Sequence, residues 1–370
     1  MSIIKTPTHY LNQAGSLGLI GPLLREATDS ALVVTGERAW AAAGGRVGSS
    51  LADAGVKAIR DVYRGYPTVK AACGYAHRAR DGGAGTVIGV GGGRILDLAK
   101  GAAALAGLPF VAVPTVAATC AAFSDLTVFY CEDGGQDHYT SNPEAPQLVI
   151  ADPDVLLAAP LRYLHSGVAD SIAKYYEVQS SLNGNSDNLL FDLQVKVCEL
   201  IKEVLENRYL SARRTGGPVS DELLRDVLDA NIMLPGLVGA VKGNVPYNGF
   251  GHLFYNQYTK LAVAEERRRL HGEAVCYGLA VQWVVEGKSD THVSGRLRDF
   301  ALIGQPVTLA DLGLDGAPGD DADASAAQLA RLMKKFAEVY SSTASALSET
   351  YIAEAIRTVD ALGRELVAAP

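Results

Sequence analysis

The amino-acid sequence predicts an N-terminal α/β domain with a parallel sheet, followed by an all-helical domain. The first observation is a set of short, almost wholly apolar runs separated by helix-forming stretches. They are residues 31–35 (ALVVT), 86–90 (TVIGV), 110–113 (FVAV), 126–131 (LTVFYC) and 148–151 (LVIA). Apolar strands that alternate with helices are typical of a parallel sheet covered on both faces. The second observation is that no convincing strand run follows Pro160.

The same change of pattern locates a domain boundary. Pro153 and Pro160 lie where the apolar runs end. Apolar residues then recur at helical spacing in residues 168–182, 189–207, 221–233, 273–285 and 325–340. A chain of 370 residues is long for a single core. We therefore predict an α/β domain over residues 1–160 and an all-helical domain over residues 161–370.

The composition limits the possible partners. The formal net charge is −8, so no basic excess is available to neutralise the phosphates of a nucleic acid. The first residues lack the pattern of a secretory signal, and no apolar run is long enough to cross a bilayer. The five cysteines lack CxxC spacing, which indicates reduced thiols. We expect a cytoplasmic protein that binds neither nucleic acid nor a membrane.

A glycine cluster between a strand and a helix indicates a phosphate-binding loop. In residues 86–100 (TVIGVGGGRILDLAK), an apolar strand leads into Gly91, Gly92 and Gly93, and a helical pattern follows. Glycines let a pyrophosphate approach the backbone, and the helix presents free N–H groups and the positive end of its dipole. The alternative is an ordinary strand-to-helix turn, because glycine motifs often occur without a ligand.

Two further positions point to a dinucleotide. Thr115 and Thr119 lie in the loop VPTVAAT directly after an apolar run, where ligand-binding loops of α/β sheets gather, although a polar loop could simply cap the sheet. Glu37 follows the first run, and a carboxylate there accepts ribose hydroxyls and repels a 2′-phosphate. NAD(H) is therefore favoured. NADP(H) stays open because the neighbouring Arg38 could bind that phosphate.

Three residues of the helical half are candidate metal ligands: Asp170, His252 and His271. One carboxylate and two imidazoles suit Zn²⁺ or Fe²⁺ and leave coordination positions open for a substrate oxygen. The spacing alone is weak support, since two histidines this far apart are more often unrelated.

The combination and order of these blocks resemble one family. The segments GVGGGRILDLAK, VPTVAATCAAFSDLTVFY, SGVADSIAKYYE, GFGH and LHGEAVCYG together resemble the iron-containing alcohol dehydrogenases, in their glycerol dehydrogenase and hydroxycarboxylate dehydrogenase A branch. The resemblance implies a Rossmann-like dinucleotide-binding domain and a helical metal-binding domain, as in the dehydroquinate synthase-like fold. It also implies an NAD(P)-dependent, metal-dependent dehydrogenase that forms a homo-oligomer.

The resemblance also assigns site residues. One divalent metal would be held by Asp170, His252 and His271. The expected contacts with the cofactor are Glu37, Gly91, Gly92, Gly93, Arg94, Asp97, Thr115, Ala118, Thr119, Ser124, Leu126 and Tyr130.

Two positions depart from the family pattern. Relatives that oxidise glycerol carry an aspartate where this chain has Cys120, whereas hydroxycarboxylate dehydrogenase A, which reduces 2-oxo acids, has a similar PTxAATCAA segment. Loss of that carboxylate suits an anionic substrate because like charges in a closed site repel, although Cys120 could also be a small residue in the wall of the site.

Many relatives have a second histidine shortly after the ligand His252. Here Tyr255 takes that place, and its hydroxyl could pass a proton.

The leading hypothesis is reversible hydride transfer between NAD(P)(H) and a small 2-oxo or 2-hydroxy acid or a related alcohol. One alternative is a pathway enzyme with a larger substrate, such as the oxidative decarboxylation of a peptide's C-terminal threonine. The other is a dehydroquinate synthase-like lyase. That reaction needs a densely cationic pocket, for which the blocks offer only Arg94, Lys174 and Lys242.

Overall fold

The computed structural model describes residues 3–180, 189–242, 249–261, 268–314, 322–340 and 342–368. The strands in these ranges are β1 (Ile3–Ile4), β2 (His9–Leu11), β3 (Ser30–Thr35), β4 (Lys57–Val62), β5 (Thr86–Gly91), β6 (Phe110–Pro114), β7 (Leu126–Tyr130), β8 (Gln136–Ser141), β9 (Leu148–Ile150) and β10 (Val241–Lys242). The α-helices are α1 (Ile20–Arg25), α2 (Glu37–Asp53), α3 (Val69–Asp81), α4 (Gly93–Ala106), α5 (Pro153–Leu156), α6 (Leu161–Ser180), α7 (Leu189–Lys202), α8 (Ser211–Thr215), α9 (Asp221–Ala240), α10 (Phe250–Tyr258), α11 (His271–Val285), α12 (Asp290–Leu302), α13 (Ala322–Tyr340), α14 (Ser342–Ala346) and α15 (Glu349–Ala368).

The chain divides into two compact units. The first comprises residues 1–164 and 224–243, and the second comprises residues 165–223 and 244–370. All strands of the described ranges belong to the first unit, and the described residues of the second unit form helices and connecting turns. Most of α9 lies in the first unit, so the helical half of the sequence contributes to both. The boundary near residue 160 stays a prediction.

A six-stranded parallel sheet organises the first unit, with the strand order β2-β9-β6-β5-β3-β4. The central strands β5 and β6 are buried at every position, which explains why their sequences are apolar throughout. Strand β4 lies at an edge, and four of its six residues are exposed. It therefore carries no apolar run, and the sequence analysis missed it.

One predicted strand does not belong to this sheet. Residues 126–131 were expected in the parallel sheet, but β7 instead pairs antiparallel with β8 in a separate two-stranded sheet. Buried and half-buried residues alternate along β7, and β8 is exposed at five of its six positions. The prediction was wrong here because a short apolar run does not reveal the direction of its partner. The other four predicted runs correspond to β3, β5, β6 and β9.

Helix α2 covers one face of the sheet. Val33, Ile88 and Val111, from three neighbouring strands, pack in one buried cluster with Val47 and Leu51 of the helix. This layer holds β3, β5 and β6 against α2. The segments with Glu37, the glycine cluster and Thr115 begin at the carboxyl ends of these strands.

Glycines bring three helices of the second unit into close contact. A Cβ on Gly272 of α11 would lie 1.8 Å from the carbonyl oxygen of Ser166 in α6, and a Cβ on Gly278 would lie 2.6 Å from Cβ of Phe254 in α10. No larger residue fits at either place.

Among the described helices, none combines the length and apolar character needed to cross a bilayer.

We expect Gly278→Ala to destabilise the second unit by about 1–3 kcal/mol, because the added methyl group collides with α10. Gly295→Ala in α12 is the matched control, since a Cβ there meets no atom within 4 Å. The control should raise stability by up to about 1 kcal/mol, the gain in helix propensity. Urea unfolding of both variants measures the difference, and equal stabilities would contradict the packing argument.

Candidate metal and cofactor sites

Three helices of the second unit each contribute one ligand-bearing side chain to a common point. Asp170 lies in α6, His252 in the first turn of α10, and His271 is the first residue of α11. Asp170 Oδ1 lies 3.2 Å from Nε2 of His252 and 3.3 Å from Nε2 of His271. All three ligand atoms lie within 4.8 Å of one another, and no other such group of His, Cys, Asp or Glu occurs in the described part of the chain.

The carboxylate of this cluster is buried and incompletely satisfied. Asp170 is only 2% exposed. Burial penalises its anion, but the charge of His271 and the interactions with both imidazoles outweigh this and hold the pKa of Asp170 below its usual value. Its Oδ1 nevertheless makes no hydrogen bond to any described residue. A cation among these three side chains would satisfy that oxygen.

Glu177 supports His252 from the other side of the imidazole ring. It lies in α6, two turns after Asp170, and is fully buried. Its two carboxylate oxygens are 2.9 and 2.7 Å from Nδ1 of His252. Because an ionised carboxylate can only accept, Nδ1 carries the proton, and the lone pair of Nε2 faces Asp170. Oε1 also accepts the backbone N–H of His252 at 3.0 Å and so caps α10.

This arrangement fits a divalent metal. The Nε2 atom of His252 and Oδ1 of Asp170 both present lone pairs at 3.2 Å, so a proton or a cation must lie between them. Burial and the charge of Lys174 lower the pKa of His252, but the charge of Glu177 and the interactions with Asp170 and Glu177 together raise it. One carboxylate and two imidazoles are suitable ligands for Zn²⁺ or Fe²⁺.

Tyr255 lies beside the ligand cluster. It follows His252 by nearly one turn of α10 and is 8% exposed. Its ring centroid is 4.2 Å from that of His271, with the two rings at 73°. The tyrosine is therefore near the cluster, and its role in proton transfer stays a prediction.

The glycine loop and the loop after β6 contact each other in the first unit. The backbone N–H of Thr115 donates to the carbonyl of Gly91 at 3.1 Å. A Cβ on Gly91 would lie 2.7 Å from Cβ of Ile95, so the fold itself requires this glycine. A Cβ on Gly93 would come no closer than 3.6 Å, to Thr119 Oγ1, which is an ordinary contact. Packing against the described residues therefore does not require a glycine at position 93.

The start of α4 suits an anion. Gly92 is its N-cap residue and supplies no side-chain cap, so the first N–H groups of the helix can bind a phosphate. The guanidinium of Arg94 lies 4.9 Å above the ring of Tyr66, whose centroid is 5.8 Å from that of Tyr130. Tyr66, which the sequence analysis did not single out, therefore contacts both Arg94 and Tyr130.

A buried lysine fixes the loop between β6 and β7. Lys100 of α4 is 2% exposed and donates to the carbonyl oxygens of Ala121, at 2.8 Å, and Leu126. Its ammonium also lies 3.4 Å from Asp97, where burial raises the pKa of the carboxyl to about 6 although Lys100 opposes the shift. The sequence analysis missed Lys100, which looks like an ordinary helix residue.

The remaining predicted cofactor residues lie in that loop or at the start of β7. Thr119 caps the short 3₁₀ turn Cys120–Ala122 by accepting from the N–H of Ala121. The hydroxyl of Ser124 accepts the N–H of Leu126 at 3.0 Å. The half-buried residues between positions 118 and 126 are Ala118, Thr119, Cys120, Ala121 and Leu126.

Comparison with known proteins identifies the family. Residues 7–153 match the family model of the iron-containing alcohol dehydrogenases. The chain is 33% identical to hydroxycarboxylate dehydrogenase A of Escherichia coli, over 85% of this chain and 86% of that protein. It is 30% identical to glycolaldehyde reductase of Halobacterium salinarum, over 99% of each. The chain belongs to the iron-containing alcohol dehydrogenase family.

A solved structure agrees with the family assignment. Glycerol dehydrogenase from Schizosaccharomyces pombe superposes with a TM-score of 0.83 at 26% identity, over 98% of this chain and 91% of that chain. The resemblance and the fold class predicted from the sequence are confirmed. As a member of the iron-containing alcohol dehydrogenases, the protein is an oxidoreductase.

The adenosine end predicted for this dehydrogenase contains a second charged residue. Glu37 is the first residue of α2, directly after β3 and Gly36. Its carboxylate forms an ion pair with Arg64, which follows β4. Both side chains are largely exposed, and Arg64 was not singled out from the sequence.

We expect Glu177→Ala to weaken the binding of Zn²⁺ or Fe²⁺ by about 10–100-fold, because His252 loses the group that fixes its tautomer. Glu177→Gln keeps an acceptor for Nδ1–H but loses the charge, so its loss should be intermediate. Competition with a chelator measures the metal affinity directly.

The control is Glu199→Ala, which removes an exposed carboxylate paired with Lys196. It should leave the metal affinity unchanged. Unaltered affinity in Glu177→Ala would show that the contact with His252 is only structural.

Proposed function

We propose that this protein is a metal- and nicotinamide-dependent dehydrogenase that transfers a hydride between NAD(P)(H) and a small hydroxy or oxo substrate. The observation that carries the proposal is the buried carboxylate of Asp170, which faces the imidazoles of His252 and His271. These residues would hold one Zn²⁺ or Fe²⁺. When bound, such a metal would act as a Lewis acid that polarises the oxygen of the substrate.

The first unit would bind the dinucleotide, preferentially as NAD(H). The glycine loop and the first N–H groups of α4 would receive the pyrophosphate. Thr115 and Thr119 border this loop, and Glu37 would accept the hydroxyls of the adenosine ribose. Lys100 contributes indirectly, because it holds the backbone of the loop that carries Thr119 and its neighbours.

Tyr255 is our candidate for moving the proton that alcohol oxidation releases. It lies against His271 and is nearly buried, so water has little access to its ring. A tyrosine hydroxyl both donates and accepts, which a proton relay requires. Its ordinary pKa of about 10 makes it a poorer base than histidine at neutral pH.

The substrate that we favour is a 2-oxo or 2-hydroxy acid. The half-buried Cys120 begins the turn after β6 and brings no negative charge to the loop. One relative is named for hydroxycarboxylates and another for glycolaldehyde, so charged and neutral substrates both occur among similar proteins. We further propose a cytoplasmic homo-oligomer, as the sequence analysis predicts.

The metal assignment is tested by His271→Ala. Loss of one imidazole should abolish stoichiometric binding of the metal and lower kcat by a factor of about 10³ or more, since the metal contributes several kcal/mol. Metal analysis of the purified variant, with circular dichroism to monitor the fold, separates loss of the ligand from unfolding.

His138→Ala is the control, because it removes an exposed imidazole on β8. It should retain the metal and full activity. Full activity of the demetallated wild type, or of His271→Ala, would refute the metal assignment.

The substrate class is tested by Cys120→Asp, with Cys120→Asn as the isosteric neutral control. A carboxylate about 4 Å from that of a 2-oxo acid costs about 4 kcal/mol at an effective dielectric of about 20. Turnover of the 2-oxo acid should therefore fall nearly a thousandfold further in the aspartate variant than in the asparagine variant. Steady-state kinetics with a 2-oxo acid and with glycolaldehyde provide the comparison.

For glycolaldehyde the two variants should differ little, because a neutral substrate is not repelled. If Cys120→Asp lowered the turnover of both substrates equally, the role of Cys120 would be only to leave space for the substrate. The hypothesis of an anionic substrate would then be wrong.

A further inference from the structure

Two oppositely charged side chains meet where the parallel strands β3 and β4 end. Thr35 is paired with Val62, and the N–H of Tyr63 donates to the carbonyl of Thr35 at 2.8 Å. Glu37 and Arg64 each lie two residues beyond this last pair, so the strand register itself places them side by side. Their side chains form an ion pair.

The turn of residues 63–66, which carries Arg64, is also held by contacts other than the ion pair with Glu37. Gly65 adopts a φ of 128°, in the region that favours glycine, and the hydroxyl of Tyr63 donates to the carbonyl of Tyr66 at 2.6 Å. The ring of Tyr66 lies under the guanidinium of Arg94 at the start of α4. The turn therefore connects the end of β4 with the glycine loop, and its position is fixed at both ends.

The ion pair is exposed to solvent, so a ligand can replace Glu37 as the partner of Arg64. The side chain of Glu37 is 63% exposed and that of Arg64 is 78% exposed. Water screens such a pair, so it contributes little to stability. A 2′-phosphate carries more charge than a carboxylate and matches the two-pronged geometry of a guanidinium. It can therefore compete with Glu37 for the same cation.

Arg38 is another cation close to Glu37 in the sequence. It follows Glu37 directly in α2, and neighbouring residues of a helix do not face each other. The carboxylate and this guanidinium therefore point in different directions, whereas Arg64 approaches Glu37 from a separate strand.

We propose that Arg64 determines the selectivity between NAD(H) and NADP(H). Glu37 alone disfavours a 2′-phosphate, and Arg64 offsets this repulsion and binds the phosphate when it is present. The protein would then prefer NAD(H) only modestly and also accept NADP(H). The inference rests on the proposed binding of a nicotinamide dinucleotide to the first unit.

Equilibrium binding tests this without any turnover. The wild type, R64Q, R38Q, E37Q and the double variant E37Q/R64Q are titrated with NADH and NADPH by fluorescence. Calorimetry with adenosine 5′-phosphate and adenosine 2′,5′-bisphosphate isolates the 2′-phosphate from the nicotinamide. Circular dichroism verifies that each variant is folded.

We expect R64Q to weaken NADPH and the bisphosphate by about tenfold or more, while NADH and adenosine 5′-phosphate change by less than about twofold. R38Q removes the same charge at a neighbouring position and should keep the selectivity of the wild type. E37Q should tighten NADPH, and E37Q/R64Q should lose that gain.

Unchanged selectivity in R64Q would overturn the proposal, as would an equal loss in R38Q. A different result would show that the proposed binding of a nicotinamide dinucleotide is itself wrong. In that case the wild type binds neither NADH nor adenosine 5′-phosphate, whatever the selectivity of the variants.

Discussion

The burial of Asp170 is the constraint on which the helical unit depends. A carboxylate removed from water must be paired, and here the partners are His252 and His271 from two other helices. Glu177 adds a second buried carboxylate behind His252. The two carboxylates can be balanced by two protonated imidazoles. One divalent cation also balances them while both imidazoles stay neutral, as metal ligands must be. Either arrangement neutralises the two carboxylates, so the burial of Asp170 requires positive charge at this point, and a divalent metal is one group that supplies it.

This pairing requires three helices to approach more closely than ordinary side chains allow. Each histidine ligand has a glycine beside it in the sequence. Gly272 follows His271 and faces the backbone of α6, and a Cβ on Gly251, which precedes His252, would lie 3.3 Å from Glu177 Oε1. Gly251 and Gly272 are therefore explained by helix packing. In the first unit Gly91 is likewise explained by packing, whereas Gly93 leaves room that a ligand can use.

The sequence predicted those features that depend on burial along a single segment. Strands β5 and β6 were found because they are buried on both faces, whereas β4 and β8 are exposed and carry no apolar signal. Glu177 could have been found, since a spacing of seven residues places it on the same face of α6 as Asp170. The pairing of Arg64 with Glu37 could not, because it depends on the register between two strands.

The charges of the two candidate sites differ in their exposure to solvent. Around Asp170 the charges are buried, so the loss of one leaves another uncompensated. At Glu37 and Arg64 they are exposed, so a ligand can exchange one partner for another. The loop that contains Cys120 is intermediate in exposure, because Cys120 is half-buried. Lys100 holds it through the backbone carbonyls of Ala121 and Leu126. These contacts with the backbone do not depend on which side chain stands at position 120.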